Sequence, residues 1–337
     1  MMQNKNIIFS IIILFFTSLL VAQQDAQFTN YMYNTQMVQP AYVGSRGFTS
    51  ITALARTQWV DLEGAPETTT ISFESPFGKN DNMGIGVSLF TDKVGPSAEN
   101  RISIDYAFAI NFIWSKLTFG LKAGINEFEI DYSRLNIADD NDPMVQFNAN
   151  KIQPRFGLGI YFNTQNYYIG ISAPNILETR YYDSFNIENT SFSNVTDRIH
   201  YYGMAGYVFD LTQKIKVKPA SMLKIVEGAP LQWDLSMNFL INYKITLGIA
   251  SRLDSAASLL GGFQLSDGLF VGFGYDYTTN RLRSFNDGSY EIVLRLDFGR
   301  DRKIITPRFF WFIMWVKNKY NFNRWSKVRF IFYWYGF

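Results

Sequence analysis

Cysteine is absent from the 337-residue chain, and histidine occurs once, as His200. The lack of cysteine excludes disulfides, thiolate metal ligands and lipid attachment at a cysteine side chain. The single histidine leaves one candidate for a histidine-based dyad or triad, and no G-x-S-x-G nucleophile motif accompanies it. We therefore predict a protein that is not an enzyme and that carries no cofactor and no metal.

The chain also lacks an excess of charge of either sign, because its formal net charge is only +2. This balance gives no indication of a nucleic-acid partner. Before residue 310 the chain contains no apolar run of the roughly 20 residues that a membrane-spanning helix needs. The apolar stretch 7–20 is shorter, follows Lys5 and precedes Ala22, so residues 1–23 are predicted to be a cleavable signal peptide rather than a membrane anchor.

What the chain does have is a period of two, which runs through most of it from residue 48. The stretches 83–89, 102–110, 117–126, 269–277 and 290–298 place a bulky apolar residue at every second position. Small or polar residues fill the positions between, so the mean hydropathy is close to zero, at −0.06. Aromatic residues make up 17% of the chain, as the interface girdles of a membrane barrel require. This pattern is typical of strands with one face toward lipid and one toward a polar lumen.

The alternation predicts an all-β fold, a transmembrane outer-membrane β-barrel of about fourteen antiparallel strands over residues 48–298. Most of the strands are close to the roughly 9–11 residues that a tilted strand needs to cross the hydrocarbon. An even number closes a bacterial barrel and leaves no unpaired edge in lipid. The predicted strands are 48–59, 67–75, 83–91, 101–110, 117–128, 154–163, 166–173, 199–210, 214–226, 231–241, 244–252, 257–266, 269–278 and 288–298.

The predicted connections fall into two classes. Several links from an even-numbered to the next odd-numbered strand are very short, as at 242–243 and 267–268. The long links, about 129–153 and 174–198, run from odd to even strands. Outer-membrane barrels have short periplasmic turns and long extracellular loops, so a periplasmic amino terminus puts the long loops outside. A soluble β-sandwich or propeller has no reason to sort its loops in this way.

Charged residues of both signs occupy positions that are predicted to face the lumen. Two interpretations stay open: a lumen that is crossed by ion pairs or filled by a plug, and an ordinary solvated lumen. A ring of one sign, typical of an ion-selective pore, is not predicted. The residues are Lys122, Lys216, Lys218, Lys224, Arg295, Asp105, Asp234, Asp276, Glu291 and Asp297.

The two ends of the chain lack the strand pattern. Residues 24–47 are expected to lie inside the barrel or to dock at its periplasmic mouth, and residues 299–310 are expected to end the barrel. Residues 311–337 hold four of the seven tryptophans, five Lys or Arg, and no Asp or Glu. We interpret this basic, aromatic tail as an artefact of the gene model, with an interfacial amphipathic segment as the alternative.

One tetrapeptide, Glu-Gly-Ala-Pro, occurs at 63–66 and again at 227–230. Both copies fall between two strands on the predicted outer side, and each has a tryptophan nearby. Gly and Pro are ordinary turn formers, so the structural interpretation is a repeated turn geometry. The functional interpretation is a shared surface for a partner. An acidic cluster in a predicted outer loop, Asp139, Asp140 and Asp142, lacks the spacing of an EF-hand loop and is interpreted as a solvated loop.

Several stretches between about residues 24 and 310 resemble the PorP/SprF family of outer-membrane proteins. The most specific is Arg-x-Gln-Trp at 56–59 followed by Glu-Gly-Ala-Pro at 63–66. The chain departs from the family at Gln39, where members usually have Asn, and in the tail after residue 310. The other matching stretches are 24–28, 31–34, 39–45, 218–221, 227–230 and 306–310.

The resemblance implies a role in type IX secretion and gliding motility, as an outer-membrane partner of a large surface adhesin with a type IX C-terminal domain. It also implies contact with other type IX components and with outer-membrane lipid. The alternatives are a diffusion porin or small-molecule transporter and, as a third hypothesis, an enzyme acting through His200. The candidate partner-binding residues are those that match the family motif: Arg56, Gln58, Trp59, Glu63, Gly64, Pro66, Glu227, Gly228 and Pro230.

Overall fold

A computed structural model describes residues 26–78, 81–134, 149–180 and 196–299, and fourteen strands of seven residues or more form one antiparallel sheet. A two-residue strand, Phe209–Asp210, continues the eighth strand past Val208, and Thr179–Arg180 pairs with Thr196–Asp197 outside the main sheet. The strands are β1 (Thr49–Thr57), β2 (Glu67–Phe77), β3 (Met83–Val94), β4 (Ser97–Asn111), β5 (Ser115–Ile130), β6 (Ala149–Thr164), β7 (Tyr167–Ala173), β8 (His200–Tyr207), β9 (Ile215–Val226), β10 (Gln232–Ile241), β11 (Ile245–Arg252), β12 (Ala256–Ser266), β13 (Leu269–Thr278) and β14 (Ser289–Phe298).

The sheet closes on itself. Each strand pairs with the next in the chain, and β1 pairs with β14 along its whole length, from Thr49 opposite Phe298 to Thr57 opposite Tyr290. Closure pairs the backbone groups of every strand with a neighbour, which a sheet in hydrocarbon requires. The prediction of a fourteen-stranded transmembrane barrel is confirmed.

Strand alternation separates the two faces of the wall. Along β14 every second side chain from Ser289 is buried, and the side chains between are exposed and mostly apolar. The outward face of β4 is a row of exposed apolar residues from Ile102 to Ile110. A continuous apolar surface of this extent suits lipid rather than water. Of the ten charged residues predicted to face the lumen, nine are buried and Lys216 is half-buried.

Aromatic side chains border the apolar band at both ends. At one end, outward-facing Tyr167 and Tyr207 stack with ring centroids 6.2 Å apart, and Phe209 lies 4.3 Å from Tyr207. At the other end, Tyr275 and Tyr290 lie 5.1 Å apart. Such belts place amphipathic rings at the level of the lipid headgroups.

Two different rims result. The short-turn rim carries the even-to-odd links, such as the turn at Asn242 and Tyr243, where both residues have positive φ (52° and 57°) as a tight hairpin turn requires. The long-loop rim carries the odd-to-even links, including a short 3₁₀ turn at Tyr132–Arg134 and another at Arg281–Phe285. The predicted signal peptide, the acidic cluster and the tail after residue 310 lie outside the described residues. Among the described residues, no helix is long and apolar enough to cross a membrane.

Residues 26–47, here called the amino-terminal segment, pack inside the barrel. They contain two 3₁₀ turns, Thr35–Met37 and Pro40–Tyr42, and most of their side chains are buried. Thr29 contacts the long-loop ends of β13 and β14, whereas Arg46 contacts Asp297 near the short-turn end of β14. The segment therefore runs down the lumen from the long-loop side and enters β1 at the short-turn rim.

Candidate functional site

The β1–β2 link, residues 58–66, is called the first rim turn and carries five of the candidate residues. Its backbone folds through hydrogen bonds from Gln58 N to Pro66 O at 2.9 Å and from Leu62 N to Trp59 O at 3.1 Å. Gly64 has φ of +74°, a left-handed conformation that favours glycine. Glu63 and Gly64 are exposed at the tip, and Trp59 is half-buried at the base.

Backbone hydrogen bonds join the first rim turn to its neighbours on both sides. Val60 donates to Gly288 O, and Asp287 donates back to Val60 O, each at 2.9 Å. On the other side Gly95 donates to Gly64 O at 2.9 Å. The links β1–β2, β3–β4 and β13–β14 thus form one connected surface on the long-loop rim.

The carboxylates of Asp61 and Asp287 meet where the first rim turn contacts the β13–β14 link. The hydrogen bond that Asp61 shares with Asp287 raises the pKa of the Asp61 carboxyl above its usual range, and repulsion between the two carboxylates raises it further. Asp61 has φ of +70°, a conformation that Asp and Asn tolerate better than most residues.

The second copy of Glu-Gly-Ala-Pro lies in the β9–β10 link, the second rim turn, also on the long-loop rim. Gly228 has φ of +80°, close to the value at Gly64, so the two copies share the left-handed glycine conformation. Glu227 lies 3.3 Å from the Arg198 guanidinium, and the Glu227 side chain is largely exposed. Glu227, Gly228 and Pro230 are exposed.

Arg56 differs from the other candidates, because it lies in the lumen and only 3% of it is exposed. Its guanidinium lies 2.7 Å from Asp276 Oδ2 and 3.3 Å from Glu291 Oε2, and it donates to the Thr29 hydroxyl at 2.9 Å. Glu291 also accepts from the backbone N–H groups of Thr29 and Asn30. Arg56 thus holds the amino-terminal segment to the wall and is not part of the rim surface.

A family model described as "Type IX secretion system membrane protein PorP/SprF" matches residues 20–296. The chain belongs to the PorP/SprF family. It is therefore an integral protein of the outer membrane and a component of type IX secretion. Among curated proteins, none matches the chain.

Solved structures of other barrels align with this PorP/SprF member at low similarity. The outer membrane protein Omp33 of Acinetobacter baumannii aligns with a TM-score of 0.46 and 7% identity, over 74% of this chain and 98% of that one. A FadL homologue of Pseudomonas aeruginosa gives 0.41 and 11%, over 74% and 89%. The KdgM porin gives 0.37 and 8%, over 74% and 99%. The barrel assignment stands on the strand pairing itself.

A second contact between the amino-terminal segment and the wall of this PorP/SprF barrel lies halfway down the lumen. The Gln36 amide donates to Asp105 Oδ2 at 3.0 Å, and the Lys122 ammonium lies 2.9 Å from Asp105 Oδ1. Asp105 is fully buried, so Lys122 and Gln36 supply the charge and hydrogen bonds that a buried carboxylate requires.

Gln39 contacts backbone rather than charge. Its side-chain amide donates to Ile160 O at 3.2 Å and Ile171 O at 3.0 Å, on β6 and β7. Its side-chain oxygen accepts from Ala41 N at 3.2 Å and caps the second 3₁₀ turn. Gln39 therefore anchors the segment to the wall.

Inward-facing glycines mark where the amino-terminal segment touches the wall. A Cβ atom at Gly120 would lie 2.1 Å from Ala41 N, and one at Gly84 would lie 2.1 Å from Val43 O. Glycine lets the backbone of the segment approach the sheet directly. These glycines belong to the period-two pattern, in which small or polar residues alternate with bulky apolar ones. Their positions on the inward face of the strands are the sequence signal that marks where the amino-terminal segment contacts the wall.

His200 begins β8 and is buried at the long-loop end of the wall. No group of three His, Cys, Asp or Glu residues that could hold a metal ion occurs within the described part of the chain.

Proposed function

We propose that this barrel is a non-enzymatic part of the type IX machinery that binds a large surface adhesin at its long-loop rim and helps to secrete or anchor it. The observation that carries the proposal is the first rim turn. It holds the family-specific Trp59 and Glu63 on a surface that backbone hydrogen bonds join to two neighbouring links. Other type IX components are further partners in this proposal.

The geometry of the first rim turn favours binding for a physical reason. A loop that is already held in one conformation loses little conformational freedom when a partner docks, so more of the contact energy contributes to affinity. Trp59 brings a large ring with a donor N–H, and aromatic residues of this kind dominate many interfaces. Glu63 brings an exposed carboxylate at the tip of the turn.

The second rim turn extends the proposed contact to the other side of the mouth. Its Glu227 and Pro230 are exposed, and Gly228 repeats the conformation of Gly64. A large adhesin domain that covers the mouth can contact both turns, and the use of two separate patches increases avidity. Arg56 acts indirectly in this proposal, since it holds the segment beneath the rim.

The test uses full-length barrel in native outer membranes. Trp59→Ala and Glu63→Ala are expected to reduce co-purification of the adhesin and its labelling on the cell surface by tenfold or more. Arg134→Ala, an exposed residue in the β5–β6 link on the same rim, outside the connected surface of the β1–β2, β3–β4 and β13–β14 links, is the matched control and is expected to leave both unchanged. Normal display with folded Trp59→Ala and Glu63→Ala barrels would show that the first rim turn is not the binding surface.

A diffusion porin or small-molecule transporter is the alternative. The contacts of the amino-terminal segment with the wall at Glu291, Asp105 and Asp297 count against a wide open pore. Single-channel recordings in planar bilayers separate the two functions. Few and irregular current steps are expected from the purified barrel, whereas robust steps of constant size would favour the pore.

A further inference from the structure

Lys218 is a buried cation near the short-turn rim whose charge the described residues do not neutralise. It is the fourth residue of β9, faces the lumen and is 9% exposed. Its ammonium lies 5.3 Å from the centre of the Tyr168 ring. Among the residues that the structure describes, no carboxylate lies within ion-pairing distance of it. Burial of an ammonium group without a counterion is costly, so the site calls for an anion.

The charges around Lys218 increase this demand. Arg46 lies 3.3 Å from Asp297 and 3.7 Å from Glu74, and Arg295 lies 3.3 Å from Asp297. Among the described residues, these two arginines are paired with two carboxylates, whereas Lys218 has no carboxylate of its own. Both arginines repel the Lys218 ammonium electrostatically. The potential at Lys218 is positive for an incoming ligand.

A row of basic side chains extends from the short-turn rim toward Lys218. Lys214, Lys216 and Lys218 occur at every second residue and so share one face of the chain. Lys214 is exposed in the turn, Lys216 is half-buried, and Lys218 is the deepest. Lys216 pairs with Asp210, which is largely exposed at the mouth. Basic side chains at increasing depth favour entry of an anion from this rim.

We propose that Lys218 forms the base of a binding site for a small oxyanion, a phosphate or carboxylate group that enters from the short-turn rim. The ammonium offers three N–H donors, and a charge-assisted hydrogen bond to an oxyanion is stronger than one to a neutral acceptor. Tyr168 forms one wall of the site through its ring. Two sources can supply this chemistry, a free phosphate ion or the terminal carboxylate of a peptide.

Isothermal titration calorimetry of the full-length barrel in detergent tests the proposal with three probes. The probes are inorganic phosphate, a short neutral peptide with a free terminal carboxylate, and the same peptide amidated. Saturable binding of phosphate, of the free-carboxylate peptide or of both is expected, with none for the amidated peptide. Phosphate alone would identify a free ion as the ligand, and binding of the free-carboxylate peptide would identify a chain end.

Three variants assign the binding to Lys218. Lys218→Met is expected to weaken binding by tenfold or more, and Lys218→Arg is expected to retain it because the charge is kept. Lys224→Met, on the same face of β9 at the opposite end, is the matched control and is expected to bind like the wild type. Because Lys218→Met removes an uncompensated buried charge, it is expected to fold. No saturable binding by folded wild-type barrel, or equal binding by Lys218→Met, would overturn the proposal.

Discussion

Arg56 and Glu291 are direct cross-strand partners on β1 and β14, the two strands that close the barrel, and their charged groups lie 3.3 Å apart. The same Glu291 carboxylate accepts two backbone N–H groups of the amino-terminal segment. One buried ion pair therefore joins the first strand, the last strand and the segment inside the lumen. Closure of the barrel and docking of the segment depend on the same side chains.

Loss of the Arg56 guanidinium is expected to destabilise the folded barrel strongly. Arg56→Ala leaves Asp276 and Glu291 as buried carboxylates without their cation, and the free energy of unfolding is expected to fall by about 3–5 kcal/mol. Arg198→Ala, which removes an exposed partner of Glu227, is the control and is expected to change it by less than about 1 kcal/mol. Denaturant unfolding of the two variants in the same detergent measures the difference. Equal, small losses would contradict the role given to Arg56.

The position of the amino-terminal segment can be trapped by a disulfide, since the chain has no cysteine of its own. The Asn34 side-chain amide donates to the Thr70 hydroxyl at 2.7 Å, and Thr70 faces inward on β2. Asn34→Cys combined with Thr70→Cys is expected to form the bridge under mild oxidation. Asn34→Cys combined with Thr69→Cys, which points outward, is expected to stay reduced. Thiol counting separates the two, and bridging in both pairs would indicate a mobile segment.

The inward glycines are expected to resist substitution where the segment touches the wall. At Gly120 a Cβ would clash with the backbone of Ala41, so Gly120→Ala is expected to displace the segment and to speed its proteolysis. At Gly261, on β12, a Cβ would meet nothing within 4 Å, so Gly261→Ala is expected to have no such effect. Limited proteolysis followed by mass spectrometry measures cleavage within residues 26–47. Equal protection in both variants would rule out a tight contact at Gly120.

The Asp61–Asp287 pair predicts that pH affects the connection between two rim links. Because the folded-state pKa of Asp61 is raised above its unfolded value, its contribution to stability is present at acidic pH and is lost as pH rises through the folded pKa. The Val60 and Asp287 amides are expected to exchange more slowly in acid, after correction for intrinsic rates. Asp61→Asn keeps the left-handed backbone. At neutral pH, this variant is expected to show the slow exchange of the Val60 and Asp287 amides that the wild type shows in acid. A pH-independent opening rate in the wild type would contradict this.

The strand pattern and the two faces of the barrel can be predicted from the sequence alone. Period-two alternation follows from the geometry of an extended chain, in which neighbouring side chains point to opposite faces, and it needs no knowledge of distant contacts. The even strand number and the sorting of loop lengths follow from the demand that no backbone polar group stays unpaired in lipid. The prediction that Asp105 and Lys122 face the lumen is confirmed for the same reason.

The position of the amino-terminal segment and the pairing of the buried charges follow from the folded structure and not from the sequence pattern. Residues 26–47 have no strand period, so their place depends on contacts with side chains up to 262 positions away, as between Thr29 and Glu291. Arg56 illustrates the limit. The family motif predicts that Arg56 lies on the rim. Its position on β1 is two residues from inward-facing Leu54, which instead predicts that Arg56 faces the lumen. Pairing of a buried charge depends on closure of the sheet, and local sequence carries no information about its partner.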